Sequence, residues 1–354
     1  TARLGVLMGG LLVVVVAGAM LPRLRRPRAA CGHARGLLQS RPMSVAPQGR
    51  LSASTIALLL LPPLMWAGNA IVGRMMQDVV PPITLNFLRW ALAFVLLLPL
   101  AGWVLRPGSA LWPHWRRFAL LGALGVGSYN ALQYLALKTS TPVNVTLVAA
   151  STPVWMLLLG RLLYGVPVSG RAAAGAMLSL AGVMAVLSRG DLQGLLAVRL
   201  VPGDALMLLA AILWAWYSWL LARPAPGSEP SAIKADWAAF LMAQVVMGVA
   251  WSGLMSAVEW QLLPALPAGQ SHVQWGWPLA AALLFVTLGP SLLAYRCWGT
   301  GVARVGPAVA GFFANLTPLF AALMSATLLG EHPQPYHALG FALIVGGIVV
   351  SSRR

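Results

Sequence analysis

The sequence predicts an all-α polytopic membrane protein: ten transmembrane helices in two inverted five-helix repeats, with an extra apolar segment ahead of them. Three observations carry this. Of the 354 residues, 59% are hydrophobic and only 9% charged, against roughly 25% charged in an ordinary soluble chain; the mean hydropathy is +0.79. From Ile56 onward, apolar stretches long enough to cross hydrocarbon alternate with short polar breaks. Finally, the run from Thr141 to Pro153 is nearly repeated from Gly306 to Pro318. Pro142 pairs with Pro307, Thr152-Pro153 with Thr317-Pro318, Gly165 with Gly330, Gly175 with Gly340 and Gly182 with Gly347, all at one offset. An ungapped match through two apolar stretches marks two duplicated halves.

The chain divides into residues 1–50, a first repeat over 52–189 and a second over 203–352. Leu4 to Leu21 is an apolar run closed by Arg23, Arg25, Arg26 and Arg28; it reads as an additional span or as a targeting segment. Met43 to Arg50 resembles an ordinary start, so residues 1–42 are expected to be an extension outside the functional fold. Spans are predicted near 56–75, 83–104, 117–137, 143–163 and 171–188. In the second half they fall near 204–222, 236–257, 278–298, 307–328 and 336–351, after a polar connection from Arg189 to Gly203. Helices are required, because an isolated strand would leave its backbone groups unpaired in lipid. Five is odd, so two related halves must face opposite ways across the bilayer.

The basic residues test this. With the start of span one inside, the cytoplasmic positions hold Arg50, Arg106, Arg116, Arg117, Arg161, Arg171, Arg223, Lys234, Arg296, Arg304, Arg353 and Arg354. The other side holds Arg74, Lys138, Arg189 and Arg199. That asymmetry puts both ends of the ten-span unit in the cytoplasm. It also accounts for the net charge of +17 without a nucleic acid as partner. The two cysteines, Cys31 and Cys297, offer neither metal spacing nor a disulfide framework.

Polar residues inside the spans are costly unless they face a cavity or another helix. Span one offers Trp66 and Asn69, and span six offers Trp214 and Tyr217 at a matching offset. Span three holds Tyr129, Asn130, Gln133 and Tyr134, and span four Asn144, Ser151 and Trp155. Span eight carries a stripe of Thr287, Ser291, Tyr295 and Trp298 at helical spacing, and span nine contributes Asn315. Each of these has an alternative role as hydrogen-bonding glue between helices. Together they single out Trp66, Asn69, Asn130, Gln133, Asn144, Ser151, Trp214, Tyr217, Ser291, Tyr295 and Asn315 as candidate substrate-binding residues. Pro153 and Pro318 fall mid-span and clash with the carbonyls of Ala149 and Ala314. The kinks they predict are candidate hinges. Arg89 is the basic residue placed inside a span. It is either an anion contact for a substrate carboxylate or a side chain snorkelling to the outer interface, the favoured reading. Gly175, Gly182, Gly340, Gly346 and Gly347 predict tight packing of spans five and ten, with a homodimer through these helices as one use of that surface.

Leu64 to Arg74, Phe87 to Trp90, Ala136 to Pro142, Gly203-Asp204 with Trp214 to Tyr217, and Leu329 to Glu331 resemble signature positions of the drug/metabolite transporter superfamily, in its EamA-like branch. The resemblance covers roughly residues 52 to 352. It implies a bacterial inner-membrane exporter or exchanger of small organic solutes. It also implies that the first four helices of each half enclose a central cavity and that the fifth and tenth lie at the periphery. One departure is that Gly165-Val166 stands where the second half has Gly330-Glu331.

The expected function is export of a neutral or zwitterionic metabolite, such as an amino acid, by alternating access. Asp78, Asp191, Asp204, Glu229, Asp236, Glu259 and Glu331 all lie near span ends or in loops, so a pump built on a mid-span acid is disfavoured. The alternatives are a membrane-embedded lipid-modifying enzyme and a non-transporting scaffold. An enzyme would need clustered acids with a metal or a His-plus-acid arrangement, and the five histidines show none. No catalytic residue, metal or cofactor is expected; the partners are a small-molecule substrate and the lipid bilayer.

Overall fold

The structure is a computed structural model, and it describes residues 51–140, 142–188, 191, 201–265, 267, 271–329 and 335–352. Residues 1–50, the connection 192–200 and Glu331 lie outside the described residues, as does the side chain of Asn144. Within these limits the chain is helical, without a strand.

The first half contains α1 (Ala53–Met75), α2 (Pro82–Ala101), α3 (Trp115–Leu121), α4 (Tyr129–Ala136), α5 (Pro142–Ala149), α6 (Thr152–Tyr164) and α7 (Gly170–Leu187). The second contains α8 (Pro202–Ala222), the short α9 (Ser231–Ala235), α10 (Trp237–Leu262), α11 (Trp277–Val286), α12 (Ala294–Ala314), α13 (Thr317–Leu329) and α14 (Pro335–Ser352). Seven described helical stretches are long and apolar enough to cross a membrane. Predicted spans three, five and nine are helical but interrupted or shorter. The longest stretch, Trp277–Ala314 with 38 residues, joins predicted spans eight and nine. It is broken at Gly306 (φ 82, ψ 160), immediately before Pro307. Positive φ suits glycine, and the proline cannot continue the preceding backbone ladder.

Two kinds of interruption recur in both halves. Wide π-type turns join α3 to α4 over Gly122–Ser128 and α11 to α12 over Thr287–Leu293. These segments are related by the same offset that pairs Pro142 with Pro307. The wide turns release carbonyls, and side chains take them up: Asn86 Nδ2 donates to Val126 O and Gly127 O, and the Tyr295 hydroxyl to Gly125 O. The other interruption falls where Pro153 and Pro318 predict it, α5 ending at Ala149 and α12 at Ala314. Hydroxyls cap the first break, Ser151 donating to Val148 O and Thr152 to Ala149 O, both at 2.6 Å.

The halves interleave. α7 packs on α14, α2 on α10, α1 on α12 and α8 on α4. A Cβ on Gly175 would lie 2.7 Å from Gly347 O, and one on Gly182 would lie 2.7 Å from Gly340 O. Rising numbers on α7 meet falling numbers on α14, so the two helices run antiparallel with their glycines apposed. These glycines join the two halves of one chain. The outward faces expose Met177, Leu339, Phe341 and Val349.

α2 and α10 are also antiparallel: Thr84 meets Ser256 and Glu259, and Phe87 meets Gly253. This brings the buried Glu259, near the end of α10, to the start of α2, where Pro81 supplies no side-chain cap. Its carboxylate accepts the N–H groups of Ile83 (3.1 Å) and Thr84 (2.8 Å) and the Thr84 hydroxyl (2.8 Å). A carboxylate at a helix N-terminus satisfies free donors and complements the helix dipole. Glu259→Gln keeps one acceptor and loses the charge. It is expected to cost about 1–2 kcal/mol, read as a fall of a few degrees in the unfolding temperature of the detergent-solubilised protein. An unchanged transition would mean that Glu259 does not cap α2.

Candidate functional site

Between the halves lies a cavity of about 60 Å³, lined by residues of α1, α4, α5, α6, α8, α12 and α13. Larger spaces open toward the two ends. One, about 320 Å³, is lined by Tyr217, Glu229, Lys234, Trp237, Tyr295 and Arg296 among others. Another, about 410 Å³, is lined by Asp78, Lys138, Glu259, His272 and Gln274 among others. The first end gathers basic residues: Arg117 and Lys234 pair with Glu229 at 2.6 and 3.2 Å, and Arg304 donates to Thr55 at the start of α1.

An aromatic layer bounds the central cavity. Trp214 is its hub, with ring centroids 5.2 Å from Trp66, 5.1 Å from Tyr129 and Tyr217, 5.5 Å from Tyr295 and 5.6 Å from Trp298. Edge-on and tilted contacts at these distances are favourable beyond the apolar area they bury. Trp66 and Trp214, paired in the two halves by sequence offset, meet edge to face. Trp298 is held by a 3.1 Å bond from its Nε1 to Ser218 Oγ. At about 60 Å³ the cavity has room for no more than a few water-sized molecules.

Of the residues picked from sequence, Trp66, Asn69, Asn130, Gln133, Trp214, Asn315 and Pro318 line this cavity. Tyr217 and Tyr295 do not; their rings, 6.2 Å apart, stand on the far side of Trp214 and face the basic end. Ser291 is also away from it, bonded to Arg89. Ser151, in the break between α5 and α6, bonds to both, its hydroxyl donating to Val148 O and accepting from Trp155 Nε1. Pro153 packs against Gly311, 3.5 Å from the position of a Cβ there. Sequence reasoning missed Tyr129, Thr146, Thr152 and Thr317 as lining residues. The repeated Thr-Pro pairs were the signal that would have found the last two.

Arg89 corrects the snorkelling expectation, because the side chain is fully buried. Its Nε and Nη2 donate to Ser291 Oγ (2.9 and 2.7 Å), and Nη2 also reaches Val286 O (3.4 Å). Nη1 donates to Asn69 Oδ1 and to the Tyr134 hydroxyl, both at 2.9 Å. Every N–H of the guanidinium is used on a neutral acceptor. The side chain ties α1, α2 and α4 to the wide turn after α11. Glu229 takes the ion pairs from Arg117 and Lys234, and neither involves Arg89. The network ends in the cavity wall, where Asn69 Nδ2 donates to Asn130 Oδ1 at 3.3 Å.

The sequence pattern of the EamA-like transporter family matches residues 53–188 and 201–353, once for each half. An uncharacterized transporter of Archaeoglobus fulgidus is 28% identical over 309 residues, covering 86% of this chain and 99% of its own. A probable terminal-alkyne amino-acid exporter of Streptantibioticus cattleyicolor is 27% identical, covering 86% and 95%. A crystal structure superposes with a TM-score of 0.61 at 22% identity, covering 84% of this chain and 96% of the other, and so shares the fold. With both halves matched and apolar helices throughout, the chain is a multi-pass membrane protein belonging to the EamA-like transporter family.

Proposed function

We propose that this protein exports a small neutral or zwitterionic organic solute of amino-acid type across a bacterial inner membrane by alternating access. In this reading ten helices form two inverted five-helix halves, with both ends of the ten-helix unit cytoplasmic. The antiparallel pairings of α7 with α14 and α2 with α10 support the inversion, and the gathering of basic side chains at one end supports the orientation. The observation that carries the reading is the cavity at the junction of the halves, closed by the meeting of Trp66 and Trp214. A solute enters when this layer parts on one side and leaves when it parts on the other, and the breaks before Pro153 and Pro318 are the hinges. The amino-acid exporter among the relatives supports the solute class.

The test is counterflow of radiolabelled α-amino acids into proteoliposomes containing the full chain. Trp214→Ala is expected to lower it at least tenfold, because five ring contacts hold the layer and each is worth about 0.5–1.5 kcal/mol. Trp275, 71% exposed, gives the control Trp275→Ala, with unchanged flux. Since truncating a buried Trp costs about 3–5 kcal/mol, Trp214→Phe is run beside it with unfolding temperatures. Wild-type protein that moves no solute in either direction would remove the transport reading.

A further inference from the structure

The cavity wall has a chemical direction. Asn69 Oδ1 receives both Arg89 Nη1 (2.9 Å) and the Tyr134 hydroxyl (2.8 Å), which saturates its two lone pairs and fixes the amide. Asn69 can then only donate onward, and it does so to Asn130 Oδ1. Asn130 lines the cavity with one Oδ1 lone pair taken and both N–H groups of its Nδ2 free to donate. Behind this relay sits the guanidinium, buried and without a carboxylate partner among the described residues. The Asn69–Asn130 part of the α1/α4 wall therefore presents donors backed by a positive charge. Asn315, on the wall formed by the end of α12, has the opposite bias. Its Nδ2 gives one N–H to Ser179 Oγ at 2.8 Å, and its Oδ1 is buried with no hydrogen-bond partner. An orphaned buried carbonyl is costly and calls for a donor. Both asparagines line the same cavity, beside the rings of Trp66, Tyr129 and Trp214.

We propose that the cavity reads an α-amino acid headgroup in one polarity, Asn130 Nδ2 donating to the carboxylate and Asn315 Oδ1 accepting from the ammonium, with Arg89 a positioning residue that acts through Asn69. The inference rests on the transport reading above and assigns its recognition chemistry. A free amine would meet the positive wall unscreened, and a carboxylate without an ammonium would leave Asn315 Oδ1 orphaned, so each half-headgroup binds worse than the zwitterion. The apolar side chain lies on the aromatic rings.

The probe is tritiated L-phenylalanine bound to the purified full chain in detergent, competed by phenylethylamine, which lacks the carboxylate, and by 3-phenylpropanoate, which lacks the ammonium. Wild type is expected to prefer phenylalanine to both by about tenfold or more, the range for a hydrogen bond to a charged group. Asn315→Leu is expected to weaken phenylalanine by about ten- to a hundredfold and leave 3-phenylpropanoate unchanged. Asn130→Leu should do the converse, sparing phenylethylamine. Should either leucine variant fail to fold, Asn130→Asp keeps the shape and is expected to shift preference toward phenylethylamine, while Asn315→Ser removes the amide carbonyl. Uniform weakening of all three ligands in every variant would overturn the assignment. So would equal wild-type affinity for the three, or transport of other solutes by a protein that binds no α-amino acid. Absence of any transport would instead remove the parent reading.

Discussion

Arg89→Met is expected to leave the protein folded and to reduce transport by about a hundredfold. Removing a buried charge usually threatens the fold when it strands a counter-ion, at about 3–5 kcal/mol. Arg89 has none among the described residues, and its neutral acceptors keep other partners. Asn69 Oδ1 retains the Tyr134 hydroxyl, and Ser291 Oγ still donates to Val286 O at 2.8 Å. An apolar side chain of similar volume in such a place is often neutral for stability. What disappears is the link between α1 and the wide turn after α11, together with the positive potential behind Asn69 and Asn130. Two charge-assisted bonds of about 1.5 kcal/mol each account for the expected factor. Arg89→Lys keeps the charge but not the planar fork, so it reaches one side of the junction and recovers part of the rate. Transport kinetics and unfolding temperature are measured together. Full activity in Arg89→Met would reduce the residue to a spectator, and loss of the fold would make it a structural tie alone.

The second large effect separates two adjacent glycines. Gly347→Leu is expected to abolish monodisperse protein, whereas Gly346→Leu is tolerated. A Cβ on Gly347 would lie 2.6 Å from Gly175 O and 3.0 Å from Ser179 N, both backbone atoms that no rotamer change can move aside. Nothing lies within 4 Å of a Cβ on Gly346. Overpacking typically costs about 1–3 kcal/mol, and more here because the helices themselves must part. Size-exclusion profiles and thermal unfolding read the contrast. Equal behaviour of the two variants would show that the halves do not meet at this seam.

Much of this architecture was legible in the amino-acid order. The repeat located the breaks before Pro153 and Pro318, because a missing N–H acts locally and needs no knowledge of the fold. Trp66 and Trp214 were found by their shared offset. The stripe Thr287, Ser291, Tyr295 and Trp298 was expected at the cavity, and the structure places none of the four in its lining. The wide turn over Thr287–Leu293 holds extra backbone per turn, and the side chains on it and after it turn to α2: Thr287 and Ser291 bond Arg89, and Tyr295 meets Trp90 as well as Trp214. Nothing in composition announces such a turn, although Pro290 and the glycines of Gly122–Ser128 permit it. Arg89 was misread because its distance from a span end says nothing about Asn69, Tyr134 and Ser291, which converge on it only after four helical segments assemble. Gly346 and Gly347 looked alike because spacing along one helix does not say which residue its neighbour touches.

The glycine seam also limits how the halves can move. Gly175 faces Gly347 and Gly182 faces Gly340, so a translation of one helical turn, about 5.4 Å, would carry a side chain such as Ile344 or Ser179 against a bare carbonyl. Sliding is blocked at the periphery while a small swivel about the crossing point is not. In the rocking motion proposed for transport the seam is the pivot, and displacement grows with distance from it, toward the tryptophans at the centre.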